Sequence, residues 1–541
     1  MAASTFWGTQ FLINTTIKDD RENVRLHALK DGSFLAVWQD FSTFGGATDT
    51  SLIRAQILNA DGSKRGLEFS VGSAVGAHQS DPAVTVLNDG RFVVAWESRG
   101  SGDYSVQARV YQPNGTAIGN DFQIATTGNV GPDPSITVLS DGGFAVAFET
   151  GSDDIAVRSF NSALQPVGTQ VHISSPTGRS YSAPTIVALE GRYAVSFRES
   201  TDAGYVNHQQ MFNNDGTGAT GSVPFTVSIV SENGTSPDVE ALGNGKTVFA
   251  WHESTENTEG KIVGTLKAQI LNSDGTKQGG ELIIQSGVGK VVTLGNITHL
   301  PDGGFAVAYV VNEDGVNSNG LYLAVFNSNG ARVAPDLLIE QLYGSGDISL
   351  SSLADGRVAV SWQTWYSKLD NMGDGIHAQI VHPRQKAISL NGTSFDDQYI
   401  GTRFNDRLKG AAGDDRLEGA EGKDTLTGDA GKDVFVFDTP LSKRTNLDKI
   451  ADFKVRDDSI WLDNAIFTKL GTSGSDAKPV QVKKAFFTIG DKAKDKNDYI
   501  VYDKAKGVLY YDADGSGAGK QVEIATLSKN LSMTDKDFFV I

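Results

Sequence analysis

Five glycines stand nine residues apart at Gly392, Gly401, Gly410, Gly419 and Gly428, and aspartates keep the same step at Asp397, Asp406, Asp415, Asp424 and Asp433. Large apolar residues, Tyr399, Leu408, Leu417, Leu426 and Phe435, run in a third register locked to the other two. Each unit offers a Gly/Asp-rich turn that exposes carbonyl oxygens and one carboxylate, then a short stretch whose apolar residue needs burial. Such donors suit a hard cation; a solvated acidic loop would explain the charge but not the phase-locked glycines. Ca²⁺ takes six to eight oxygens at about 2.3–2.6 Å, more than one turn supplies, so two stacked turns must share an ion.

The pattern resembles the RTX (hemolysin-type) nonapeptide, Gly-Gly-x-Gly-x-Asp-x-U-x with U a large aliphatic residue, whose half-coils stack into a calcium-binding parallel β-roll. Half-coils alternate sides in such a roll, so the resemblance pairs turns 18 residues apart: Asp397 with Asp415, Asp406 with Asp424, Asp415 with Asp433. The calcium-binding positions it implies are Gly392, Asp397, Gly401, Asp406, Gly410, Ala412, Gly413, Asp415, Gly419, Glu421, Gly422, Asp424, Gly428, Ala430, Gly431 and Asp433. The second Gly is replaced by Thr393, Thr402, Ala411, Ala420 and Asp429, and the fourth-position residue is Phe395 and Phe404 before becoming Gly413, Gly422 and Gly431. The last three repeats are therefore the stronger candidates.

Beyond the repeats, Asp433–Phe437, Leu447–Phe453, Asp457–Leu462, Tyr510–Gly517, Val522–Leu527 and Asp537–Ile541 resemble the C-terminal capping region of serralysin-like RTX proteins. The resemblance implies a type I secretion substrate with an uncleaved C-terminal signal, exported to the extracellular space or cell surface. The start, Met1–Trp7, lacks a basic and an apolar signal region, and the chain has no cysteine, which fits that route. Within this module Asp512, Asp514 and Ser516 alternate like the opening of an EF-hand loop, with Glu523 in the twelfth place. The strand-like Val522–Leu527 argues against a helix-loop-helix frame, leaving a further calcium loop or a plain hairpin turn.

The first 390 residues carry a different repeat: an apolar strand, a tight turn, then an alternating strand ending in an aromatic residue. The turns and aromatics are Asp31-Gly32 with Trp38, Asp89-Gly90 with Trp96, Asp141-Gly142 with Phe148, and Glu190-Gly191 with Phe197. They continue as Asn244-Gly245 with Trp251, Asp302-Gly303 with Tyr309 and Asp355-Gly356 with Trp362, at spacings of 49 to 58 residues. Asp-Gly and Asn-Gly suit a two-residue type I′ hairpin, whose central residues both need positive φ. Third and fourth strands follow, as in Ile53–Leu58 and Glu68–Val71. The seventh unit lacks a clear fourth strand, while Thr9–Asn14 supplies one at the other end of the chain. The sequence predicts an all-β protein: a seven-bladed β-propeller over 1–388 closed by strand 9–14, a calcium-binding parallel β-roll over 389–436, and a β-rich capping module over 437–541. The aromatics then fill the gaps between blades.

A net charge of −18 argues against a nucleic-acid partner. Apolar runs such as Phe305–Val311 are far shorter than a membrane helix requires, and the long apolar region of a pore-forming toxin is missing. His252-Glu253-Ser254-Thr255-Glu256 lacks the second His of a zinc protease, and no nucleophile elbow, P-loop or dinucleotide fingerprint stands in context. No catalytic residue is assigned, and whether the chain is an enzyme stays open.

In a propeller the long second-to-third-strand loops and the links between blades share one face, opposite the short hairpins, and sites gather on such loops. Asp81, Asp133 and Asp347 begin innermost strands there, Trp365 and Tyr366 sit in a long loop, and Asp40, Glu97, Glu149, Glu199, Glu253 and Glu313 line the rim. The expectation is a secreted calcium-binding protein whose propeller binds an extracellular polysaccharide or cell-surface component. The alternative is a polysaccharide-degrading hydrolase or lyase using Asp or Glu of the same face.

Overall fold

The computed structural model describes residues 5–15, 20–41, 51–73, 78–100, 102–151, 153–175, 178–202, 204–218, 225–230, 237–243, 245–313, 319–342, 346–364, 375–383, 387–392, 396–471, 474–476 and 478–541. These residues are all-β but for two single-turn 3-10 helices, Lys484–Phe486 and Asp535–Asp537, and none of their helices is long and apolar enough to cross a membrane. Two compact units form, one of Met1–Leu29 with Phe34–Pro383, the other of Lys30–Ser33 with Arg384–Ile541.

Successive strands of the first unit pair into antiparallel four-stranded meanders. The first comprises Arg21–Ala28, Phe34–Asp40, Leu52–Leu58 and Lys64–Ser70. Others start at His78, Ser135 and Tyr181. Strands from Asp238 to Leu342 make one eight-stranded sheet that divides into two such meanders, joined only by a parallel pairing of Val263 with Lys290. Ile348–Ser352, Val358–Thr364 and Gly375–His382 take their fourth strand from Thr5–Leu12. The first strands of the meanders neighbour one another in order around a ring, from Arg21–Ala28 through Lys290–His299 to Ile348–Ser352 and back to Arg21–Ala28. This is the topology of a β-propeller, in which closure leaves no long open sheet edge.

The hairpins differ from the type I′ expectation. Leu87 N–H donates to Arg91 O and Gly90 N–H to Leu87 O, and only Gly90 of the turn has positive φ, at 87°. That is a type I turn followed by a left-handed glycine. The preceding Asp stays at negative φ because its carboxylate serves the turn: Asp89 Oδ1 accepts Arg91 N–H at 3.1 Å, and Asp355 Oδ1 accepts Arg357 N–H at 2.9 Å. An Asx turn thus explains the acid.

The repeating aromatics pack between adjacent meanders. Trp38, Phe148 and Phe197 are wholly buried, and Trp96, Trp251, Tyr309 and Trp362 are 1% exposed. Trp96 shares a cluster with Val37 and Ala55 of the preceding meander, Trp362 with Ala308 and Leu323, and Trp38 with Leu353 and Ala378.

In the second unit, strands of three or four residues stack in parallel into two sheets. One holds Ser389–Asn391, Arg407–Lys409 and Thr425–Thr427, the other Gln398–Ile400, Arg416–Glu418 and Val434–Phe437. The third-register residues at their centres, Tyr399, Leu408, Leu417, Leu426 and Phe435, are at most 2% exposed, the burial that this register demands. Both sheets continue through Asp448–Ile450 and Ser459–Leu462 into Val522–Thr526 and Phe538–Val540, which add on in parallel.

Candidate calcium roll and channel-mouth site

In the roll each Asp reaches its partner one full coil away. Asp397 N–H donates to Asp415 Oδ1 at 2.8 Å, Asp406 N–H to Asp424 Oδ1 at 2.6 Å, and Asp415 N–H to Asp433 Oδ1 at 3.1 Å. The glycine register exists because the carboxylates lie against it. A Cβ on Gly410 would stand 2.1 Å from Asp415 Oδ2, one on Gly419 2.5 Å from Asp424 Oδ2, and one on Gly428 2.2 Å from Asp433 Oδ2. Gly392 and Gly401 abut the carbonyl oxygens of Gly410 and Gly419 one coil on, and Gly422 and Gly431 those of Phe404 and Gly413. Gly413, Gly422 and Gly431 adopt φ of 128°, 134° and 153°. Ala412 and Ala430 form an isolated parallel bridge, while the Glu421 side chain is exposed.

Oδ2 of Asp415, Asp424 and Asp433 is buried without a hydrogen-bond partner. Three anionic oxygens in that state fit a cation, since a buried, unpaired carboxylate oxygen is costly. No three acidic or histidine side chains converge among the described residues, so the cation would take most of its oxygens from the backbone. Burial, then the charges of Asp397 and Asp433, pushes the Asp415 carboxyl up to about 7. Burial likewise raises Asp424, which lies beside Asp448, and Asp433. Asp406 differs: its Oδ2 accepts both the N–H of Thr402 and the Thr402 hydroxyl, the latter at 2.9 Å. A residue standing in place of the second glycine therefore occupies the oxygen that later repeats leave open.

The ladder runs beyond Asp433, where the sequence reading stopped. Asp424 N–H donates to Asp448 Oδ1 at 3.0 Å and Asp433 N–H to Asp458 Oδ1 at 3.2 Å. Loops stretch these steps to 24 and 25 residues. The signal was the motif's second half, Asp-x-apolar, repeated in Asp448-Lys449-Ile450 and Asp458-Ser459-Ile460.

The propeller's channel mouth gathers Asp81 and Asp347 about a residue the sequence reading did not name. Asn23 Nδ2 donates to Asp81 Oδ1 at 3.0 Å and to Gln39 Oε1 at 3.1 Å, and Asn23 N–H donates to Asp347 Oδ2 at 2.5 Å. Asn23, Asp81, Asp133 and Ala183 hold positive φ, at 56°, 48°, 38° and 52°, where the innermost strands begin. Asn23, Asp81 and Ala183 each fall in a register shift of the pairing to the second strand. Asp and Asn tolerate this left-handed backbone better than most residues. Asp238 and Asn296 extend the ring: Asp238 Oδ2 accepts Asn296 Nδ2 at 2.6 Å, and Asn296 Oδ1 accepts Leu350 N–H at 2.8 Å.

Asp133 keeps an exposed side chain, though many protein atoms crowd around its carboxyl. Lost hydration, then the charges of Asp81 and Glu149, pushes its carboxyl up to about 6. Burial raises Asp81 as well, against the Arg25 guanidinium, which pulls Asp81, Asp133 and Asp238 back down. Some rim acids prove structural: Asp40 pairs with Arg54 at 2.5 Å, Glu199 with His208 at 2.8 Å and Glu253 with Lys267 at 2.5 Å. Trp365, Tyr366, Thr393, Phe395 and the Glu313 side chain lie outside the described residues. At the hairpin end of the channel a cavity of about 810 Å³ is lined by His27, Thr85, Thr137 and Glu240, whose Oε1 lies 2.7 Å from His299 Nδ1.

Asp512 is buried and Asp514 exposed in the loop joining Val508–Tyr511 to Val522–Thr526, two antiparallel strands rather than two helices. Glu523 is paired with Lys443 Nζ at 2.6 Å.

Comparison with known proteins agrees with the roll. The RTX calcium-binding nonapeptide repeat (4 copies) matches residues 391–426 and 400–435. The chain therefore carries a calcium-binding repeat module. No curated protein matches the chain. Among solved structures it is similar to a Dyadobacter fermentans protein of unknown function, at 13% identity over 71% of this chain and 100% of that one, TM-score 0.41. It is also similar to a family PL25 ulvan lyase, at 11% identity over 66% and 94%, TM-score 0.42. An α-L-arabinanase of Penicillium chrysogenum gives 11% identity over 56% and 92%, TM-score 0.35.

Proposed function

We propose that the chain is a secreted RTX protein in which calcium orders the roll over 389–436 and the propeller holds an extracellular polysaccharide or cell-surface glycan at its channel mouth. Asp415, Asp424 and Asp433 are the calcium carboxylates, with Gly410, Gly413, Gly419, Gly422, Gly428 and Gly431 letting neighbouring coils bring backbone oxygens close. The observation that carries the glycan reading is the Asp81–Asn23–Asp347 chain, in which the Asn23 amide holds the Asp81 carboxylate and the Asn23 backbone N–H holds that of Asp347. Sugar hydroxyls both donate and accept, so pre-ordered carboxylates and amides recognise them at little entropic cost. The likeness of 437–541 to serralysin-like caps supports type I export of the whole.

A second reading has its own observation. Asp133, pushed up to about 6 by lost hydration and the neighbouring charge of Asp81, is a carboxyl of the kind that serves as the acid in glycosidic cleavage, with Asp81 as its carboxylate partner. One experiment decides between them: incubate the protein with a polysaccharide panel, scoring retention and new reducing ends. Binding alone predicts retention that Asp81→Asn/Asp347→Asn abolishes, with no new ends. New reducing ends that vanish in Asp133→Asn would establish the enzyme. Neither retention nor cleavage of any glycan would end both.

A further inference from the structure

We propose that the loop 512–519, with the backbone of Asp495 and Lys496, holds one Ca²⁺ ion separate from those of the roll. Asp512 and Asp514 bring their carboxyl groups within hydrogen-bonding reach of each other, an arrangement two carboxylates hold only around a shared proton or a cation. Asp512 is 5% exposed, and its Oδ1 is buried with no hydrogen-bond partner. A shared proton would leave that oxygen orphaned; a cation satisfies it.

The rest of the loop supplies further oxygens. Gly515 lies so close to the neighbouring segment that a Cβ there would meet Asp495 O and Lys496 O, each at 2.6 Å. Two backbone carbonyls therefore sit against the loop that carries the two carboxylates, that of Asp495 also accepting Ser516 N–H at 2.7 Å. Gly517 and Gly519 wrap the Asp514 carboxylate, whose Oδ2 accepts Gly519 N–H at 2.9 Å. Glu523 pairs with Lys443 and lies in a strand opposite Tyr510, so it does not serve as the closing bidentate ligand of an EF-hand. Two carboxylates, carbonyls and water match a hard divalent ion, not a thiophilic one.

The test counts calcium on the full chain by equilibrium dialysis. The Asp512→Asn/Asp514→Asn protein should bind one ion fewer than wild type, whereas Asp415→Asn/Asp424→Asn should keep that ion while losing roll sites. Terbium, sensitised by the adjacent Tyr510 and Tyr511, gives a second readout: the Asp512/Asp514 variant should lose most of this emission and the roll variant should retain it. Asn at both places can still exchange an amide hydrogen bond, so near-ultraviolet circular dichroism should match wild type. If the double variant misfolds, Asp514→Asn alone, at an exposed position, should weaken the same site at least tenfold. An unchanged ion count with unchanged terbium emission in a folded variant overturns the site and leaves the shared proton.

Discussion

Thr402 donates its hydroxyl to Asp406 at 2.9 Å, filling the carboxylate oxygen that Asp415, Asp424 and Asp433 leave without a partner. One substitution in a nine-residue repeat thus separates an acid satisfied by protein donors from three that want a cation. In a calcium titration followed by circular dichroism, Asp415→Ala and Asp424→Ala should each raise the midpoint on the order of tenfold, the equivalent of about 1.4 kcal/mol of binding. Asp406→Asn should move it less. Equal shifts in all three would contradict the assignment.

The converse substitution follows from the same contact. Thr402→Gly removes the hydroxyl from Asp406 and restores the family's second glycine. The variant should bind calcium more tightly at that coil, read as a lower midpoint in the same titration. A higher midpoint would show that the hydroxyl assists the ion instead.

Acidity at the channel mouth provides a third check. Asp133 titrates at an ordinary 3.8 when unfolded and at about 6 in the propeller. Between those values the folded state holds a proton that the unfolded state has lost, so this residue's contribution to stability falls as pH rises, then levels off above 6. Asp133→Asn removes the titration. The melting temperature of the variant relative to wild type should climb from pH 4 to pH 6 and stay flat to pH 8; a flat or falling difference throughout would contradict the shift.

Between the meanders, Trp362 is 1% exposed in a cluster with Ala308, Leu323 and Val381. Trp362→Ala should destabilise the propeller by about 3–5 kcal/mol, the range for removing a buried aromatic side chain. Differential scanning calorimetry should show that loss in the propeller transition. A shift under about 1 kcal/mol would mean that the aromatic positions do not bear on packing.

The repeat registers made much of this legible. Phase-locked Gly, Asp and apolar residues announced the roll because each type has one physical reason to stand at its place. The aromatic after every turn announced the packing between meanders for the same reason. Asn23 was illegible because its importance comes from the two meanders that flank its own, at 58 and 324 residues' separation, a geometry no local pattern carries. Asp448 and Asp458 were missed because loops broke the nine-residue step while the pairing continued. The type I′ reading of the hairpins failed because Asp-Gly satisfies two turn types, and the Asp carboxylate bound to the N–H two residues on selects the other.

Calcium ordering the roll is tested most directly by amide hydrogen exchange on the full chain, with calcium and with chelator. Peptides spanning 397–435 should exchange on the order of a hundredfold faster with chelator, while those of the propeller strands, such as 92–99, should exchange alike in both. Equal protection of 397–435 in both conditions would contradict the account.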